Sequence, residues 1–397
     1  MRQPRVVRIT THPYHLWNFM DGQGRFLLER GFDVQAVSSP DPLLDKFSER
    51  EGVPVHEVQM ERAIAPGADA KSLCRLCRVL DELQPDIVHT ATPKAGLLGM
   101  LAGQWCRAPI KIYHAAGLRW WTLSGVSRGL VVNAQKTAFA LADVVLCVSP
   151  SVREAIIDRG LARPGQAKVL AHGHDNGIDV EGRFHPDRID PGMRAQMRRS
   201  LGIADDAIVL GFLGRLVRDK GIEELAEAWM TLRDEIPSLA ILLVGDFDET
   251  DPVSQKTRAV LEGDPRVVFT GWTDDVIPMY AAMDVCVLPS HREGMPTIAL
   301  EAGALEIPLI TTDALGCVDV VEHAVTGLQI PVGDVEALTS AIREYACDPK
   351  LRGQHGSAAR EFVSSRFHHE LVWEALYEEY ARLLRENELP LPAGKAE

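Results

Sequence analysis

Short runs rich in β-branched and aliphatic residues, each followed by an amphipathic stretch, recur along the whole chain, and nothing else in the sequence restricts its fold so tightly. VVRIT, FDVQAVSS, DIVHT, IKIYHAA and VVLCVS occupy the first half; AIVLGFLG, AILLVGD, RVVFTG, VCVLPS and PLITT occupy the second. Strand and helix patterns in alternation imply parallel sheets with helices on both faces. Two such sets imply an α/β chain of two Rossmann-like, doubly wound parallel-sheet domains. The break is expected between Asn176 and Pro191, where NGIDVEGRFHPDRIDP is polar, carries two prolines and shows no periodicity. Residues 1–185 and 186–368 are therefore the expected domains. Beyond Asp348 the pattern is helical, and residues 369–397 are expected to form a C-terminal helix that packs back on the first domain. Ligands of doubly wound sheets sit at the carboxyl ends of the strands, so a cleft between two facing sheets is the expected site.

Composition narrows the partners. The chain has 397 residues and a formal net charge of −14, which argues against nucleic acid, because phosphate contacts need a concentrated basic face. A local basic face exists in Lys71, Arg75 and Arg78, which share one side of a helical pattern and could meet the head groups of a bilayer; a solvated surface is the alternative. No run of 18 apolar residues occurs and MRQPRVVRIT lacks a signal-peptide core, so a cytoplasmic location is expected. The seven cysteines are odd in number and scattered through apolar segments, and the pair Cys74 and Cys77 lies within a helical pattern. They read as packing residues in a reducing compartment.

The segment REGMPTIALEAG, Arg292 to Gly303, places two carboxylates, Glu293 and Glu301, around a helix start. Pro296 suits a first helical position, and Gly294 lets the chain bend into it. The amides at such a terminus, with the positive end of the macrodipole behind them, seat an anion. Thr297 and Glu301 share a helix face, with Glu293, Gly294 and Met295 just before it. A carboxylate can accept two hydroxyl hydrogen bonds, as from a ribose. An acidic first turn favoured by the dipole is the plainer alternative.

A second segment, GFLGRLVRDKG, places Arg215 and Lys220 between a strand and a helix. Guanidinium binds phosphate bidentately and ammonium adds a mobile point charge, so the pair suits a diphosphate. The two segments together point to one diphosphate ligand. Gly214, Gly245 and Gly271 follow strands, where a ligand can approach the backbone closely.

Other motifs compete. GVSRG, Gly125 to Gly129, matches a serine nucleophile elbow at Ser127, yet LRWWTLS before it is not a strand pattern. HGHD, His172 to Asp175, has a metal-binding spacing without further ligands, and Asp246 and Asp248 match a D-x-D that elsewhere holds a metal and diphosphate. Neither G-x-G-x-x-G nor a P-loop occurs. In the first half, Trp17 and Asn18 follow the first strand pattern, Lys94 stands at a helix start against the dipole, His114 ends a strand and Arg119 follows in GLRWW. These five are the candidates for a sugar or acceptor pocket.

The arrangement resembles retaining glycosyltransferases of the two-Rossmann-domain type (GT-B), family 4, and within them bacterial enzymes of capsular, exopolysaccharide or O-antigen synthesis. Its carriers are THPYHLWNFM, DIVHTATPKAGLLGMLA, GRLVRDKGIEEL and the long segment from VFTGWTDD through LPSHREGMPTIALEAG to IPVGD, so it covers nearly the whole chain. The resemblance implies a nucleotide-sugar donor, with UDP favoured, no metal and no other cofactor. It gives Arg215 and Lys220 the diphosphate, Glu301 the ribose hydroxyls, and Glu293 with the Gly294 to Thr297 amides the transferred sugar and its phosphate. It implies a saccharide or lipid-linked saccharide as acceptor, which would bring the enzyme to the cytoplasmic face of the inner membrane. A small soluble acceptor and a nucleotide-sugar 2-epimerase of similar fold are the alternatives. Two departures stand out: many relatives carry a histidine where this chain has Ala116, and a glycine pair after the first strand where it has only Gly22 and Gly24.

Overall fold

The computed structural model describes residues 2–61, 63, 65–122 and 124–393. Residues 1–177 together with 369–397 form one compact unit, and residues 178–368 form the other.

The first unit holds β1 (Arg5–Ile9), β2 (Asp33–Ser38), β3 (Val55–Glu57), β4 (Ile87–Ala91), β5 (Ile110–Ala115), β6 (Val144–Cys147) and β7 (Ala167–Lys168), in the sheet order β3-β2-β1-β4-β5-β6-β7. The second holds β8 (Ile208–Leu213), β9 (Leu239–Val244), β10 (Val267–Gly271), β11 (Val285–Leu288), β12 (Leu309–Thr312) and β13 (Gly327–Ile330), ordered β10-β9-β8-β11-β12-β13. Every ladder between these strands is parallel. Central strands such as β4 (IVHTA) and β9 (LAILLV) are buried at every position, as strands covered by helices on both faces must be. The ten expected strands are all present. β3, β7 and β13 are additions of two to four residues, too short to carry a pattern of their own, and they lie at or near the sheet edges.

Strand order reverses between β1 and β4 in the first sheet and between β8 and β11 in the second. At such a switch point the two following connections leave in opposite directions and open a crevice beyond the carboxyl ends. In the second unit the flanking loops are GRLVRDKG after β8 and PSHREG after β11, the two segments singled out above.

The C-terminal helix His369–Glu386 belongs to the first unit, where Leu376, Tyr380, Leu383 and Leu384 join the core formed by Val6, Val34, Ile87 and Ile112. Polar contacts fix its register. The Tyr380 hydroxyl meets His89 Nδ1 at 2.6 Å and accepts from the Arg8 guanidinium at 3.2 Å, while Trp373 Nε1 donates to Asn176 Oδ1 at 2.8 Å. None of the described helices is long and apolar enough to cross a membrane.

Candidate functional site

The loops after β8 and β11 are built on close backbone approaches. Gly221, with φ +74, caps the helix Ile222–Glu235, and a Cβ there would lie 2.0 Å from the Pro289 carbonyl oxygen. Gly245, with φ +138, lies against Gly214, where a Cβ would come within 2.0 Å of the Gly214 carbonyl, and it bridges to Gly271. The three strand-end glycines are thus gathered by the sheet itself, and at Gly221 and Gly245 only glycine permits both the dihedral and the approach.

Pro296, with ψ 102 and no side-chain cap, is the N-cap of the helix Thr297–Ala304, so the helix starts one position later than expected from sequence. Having no N–H, it contributes nothing to an anion seat. The Glu293 amide donates to the Leu315 carbonyl at 2.8 Å. The Glu293 carboxylate pairs with the Lys220 ammonium and accepts from Ser290 Oγ at 2.9 Å. Residues 73 positions apart are therefore joined into one charged pair.

Arg215, more than half exposed, donates to Asp248 Oδ2 at 3.0 Å and to Thr250 Oγ1 at 3.2 Å. Bonds from Thr250, and then from Arg215, hold the Asp248 carboxyl down at about 2. Asp248, read above as half of a D-x-D, is thus a partner of the guanidinium. One turn along its helix from Thr297, Glu301 accepts from the Tyr280 hydroxyl at 2.8 Å, and burial pushes its carboxyl up to about 7 despite that bond and the nearby Arg183. Tyr280, at the end of IPMY, was not singled out in the sequence, because nothing local shows that residues 21 apart will meet.

In the first unit the candidates have separate settings. His114 is buried in β5, its Nε2 2.9 Å from Asp175 Oδ1 and its ring stacked on His89. Lys94 stands in the first helical turn as expected, but Asp69 lies 2.5 Å from its ammonium and the Ala63 carbonyl accepts from it, which offsets the dipole. Asn18 bonds its own helix at the Tyr14 carbonyl, and Trp17 packs beneath the Arg50 guanidinium, 4.0 Å from the ring centroid. The side chain of Arg119 lies outside the described residues. Among the described residues no hydrogen bond or ion pair links Asn18, Lys94 and His114 to one another. At the switch point of this sheet stands Thr92, with φ 72, its hydroxyl 2.7 Å from that of Thr11. A β-branched residue there carries strain of about 1–3 kcal/mol, a local signal that sequence does not show.

Residues 19–173 match the family model of the glycosyl transferase 4-like domain, and residues 207–348 match that of glycosyl transferases group 1. The capsular polysaccharide biosynthesis glycosyltransferase CapM of Staphylococcus aureus is 32% identical over 369 residues, covering 93% of this chain and 95% of that protein. The chain is a family 4 glycosyltransferase of the GT-B type. A UDP-Gal:α-D-GlcNAc-diphosphoundecaprenol α-1,3-galactosyltransferase of Escherichia coli is 27% identical, over 71% of this chain and 72% of that protein. In fold, the glycosyltransferase is similar to HepE of Anabaena, solved in complex with UDP and glucose, with a TM-score of 0.78 over 94% of this chain and 98% of that one, at 20% identity.

The rival motifs have other settings in this glycosyltransferase. Ser127 is exposed in the first turn of the helix Gly125–Leu141, bonded to the Ser124 carbonyl, and among the described residues no strand leads directly into it to form an elbow. In HGHD, His174 Nδ1 accepts from the Asn176 and Gly177 amides, and Asp175 faces His114. Among the described residues no group of three or more His, Cys, Asp or Glu is arranged to hold a metal ion.

Proposed function

We propose that this glycosyltransferase moves a sugar from a UDP-sugar to a saccharide or lipid-linked saccharide, with retention, in cell-surface polysaccharide synthesis. The observation that carries the reading is the joining of Lys220 to Glu293 beside the Thr297–Ala304 helix terminus, with Glu301 one turn beyond. A diphosphate needs fixed positive charge, the ribose on one side of it needs a hydroxyl acceptor, and the sugar on its other side needs a carboxylate to accept its hydroxyls. The two carboxylates lie on the loop and helix after β11, and Lys220 reaches Glu293 from the loop after β8.

In this reading the second unit binds the nucleotide-sugar and the first binds the acceptor. Arg215 and Lys220 take the diphosphate, the Gly294, Met295 and Thr297 amides add dipoles, and Glu301 accepts the ribose hydroxyls. Gly214, Gly245 and Gly271 let the nucleotide approach the backbone. As the bond from the anomeric carbon to the phosphate oxygen breaks, the acceptor oxygen attacks from the same face, and its proton passes to the departing phosphate. The protein's part is positioning and stabilisation of charge on the leaving group by fixed donors, without a metal. Glu293 orients the sugar and is not the nucleophile. Support for the donor and for the acceptor class comes from the E. coli relative, whose name gives UDP-Gal and a diphosphoundecaprenol-linked sugar. A lipid-linked acceptor would bring the enzyme to the inner membrane, and Lys71, Arg75 and Arg78 stand exposed on the helix Pro66–Leu83 to meet acidic head groups.

The test is turnover of a UDP-sugar panel with undecaprenyl-diphosphate saccharides in EDTA, followed by NMR of the product's anomeric proton. Transfer with the donor's configuration kept is expected. An inverted product, or a sugar isomerised with no acceptor present, would overturn the reading.

A further inference from the structure

Four consecutive residues of the loop after β11 are tied down. The His291 amide donates to the Asp219 carbonyl at 2.9 Å, Arg292 Nη2 lies 2.9 Å from Asp219 Oδ2, Ser290 bonds Glu293, and Glu293 pairs with Lys220. A further tie is His291 Nε2, 2.7 Å from Glu224 Oε1. Glu224 stands in the first turn of the helix that follows Lys220, and its other carboxylate oxygen is buried without a hydrogen-bond partner among the described residues. A buried anion so placed needs a counter-charge.

We propose that His291 is a positioning residue for the donor site, its imidazolium fastening the loop that carries Glu293 to the helix start behind Lys220. The inference rests on the donor-site reading above. Three carboxylates face the ring: Glu224, Asp219, and Asp251, which itself accepts from the Asp219 amide at 2.8 Å and from Arg218 at 3.3 Å. The hydrogen bond to Glu224 raises His291 above its ordinary value, against burial, which lowers it. A raised histidine contributes its full tie below the ordinary value of about 6.5 and loses it as pH rises through the raised one. Neutral imidazole keeps a hydrogen bond to the Glu224 carboxylate but loses the ion pair, and with it part of the tie. Donor affinity should therefore fall on the alkaline side.

The test is the dissociation constant of UDP from pH 6 to 9 for wild type, His291→Gln and Glu224→Gln, with the histidine ring and Glu293 amide resonances followed by NMR in ligand-free wild type. Comparison at each pH cancels the ionisation of UDP itself. We expect wild-type affinity to weaken about threefold to tenfold across the alkaline limb. His291→Gln, which still donates but cannot titrate, should lose that limb and raise KM more than it lowers kcat. In wild type the Glu293 amide should titrate together with His291. An unchanged alkaline limb in His291→Gln, or a Glu293 amide indifferent to the His291 proton, would overturn the proposal. The NMR arm decides even where a variant fails to fold. Failure of wild type to bind UDP at any pH would instead remove the donor-site reading, with the tether still judged by NMR.

Discussion

The proposed role of Glu301 in donor binding carries a pH dependence with it. Its carboxyl sits near 7 in the folded protein, against an ordinary value of about 4.3, because burial disfavours its charge. A carboxyl raised in this way favours the protonated form, so folding stability from this group is greatest at low pH and falls as pH rises toward 7. The ionised form accepts two hydroxyls, one on each oxygen, more strongly than the protonated form. UDP binding at pH 6 should therefore release a proton, and its calorimetric enthalpy should vary with the buffer's ionisation enthalpy; no such variation in wild type would contradict the role. Lys220→Ala should leave Glu293 without its cation and weaken UDP binding by about tenfold to a hundredfold, the loss of one charge-assisted contact worth roughly 1.5–3 kcal/mol. That change reads directly by titration calorimetry. Lys220, Arg215, Glu293 and Glu301 stand out as candidates in the sequence because charge type and local spacing survive in the linear order of two loops and a helix. Tyr280, Asp248 and Glu224 do not, since each acquires its meaning from a partner between 21 and 67 positions away.

At the scale of elements, sheet order delivers the site. Loops that follow β8 and β11 flank the reversal of strand order, so their residues meet whatever the helices between them contain. Gly221 tests this, since alanine there would need φ +74 and would drive its Cβ to 2.0 Å from the Pro289 oxygen. Gly221→Ala should cost about 1–3 kcal/mol in urea unfolding and weaken UDP binding as well. A stable variant with intact affinity would show that the approach of the two loops is not needed. In the first unit, Tyr380→Phe removes the hydroxyl shared by buried Arg8 and His89 and should cost about 1–3 kcal/mol. Long buried strands such as β9 were readable as apolar runs; β7, only two residues, was not, because pairing at a sheet edge and not composition makes it a strand.

For the whole molecule, two doubly wound sheets and an acidic surface leave local charge to do the recognising. A net charge of −14 repels anions in general, yet Arg215 and Lys220 stand at one sheet's switch point, and Lys71, Arg75 and Arg78 line one exposed helix. If that helix meets head groups, binding to vesicles containing acidic lipid should fall in the triple Lys71→Ser, Arg75→Ser, Arg78→Ser variant and be weakened by salt, as co-sedimentation would show. Of the candidates for an acceptor pocket, Trp17, Lys94 and His114 look available in sequence but are each engaged by a neighbour that the fold supplies. The most direct measurement is UDP binding in EDTA, by calorimetry and thermal unfolding, on wild type and Glu301→Ala. UDP at about 100 times its dissociation constant should add roughly 2.7 kcal/mol of stability to wild type, and the variant should lose most of it. Folded wild-type protein that binds no UDP, or a Glu301→Ala variant that binds it as tightly, would contradict the account.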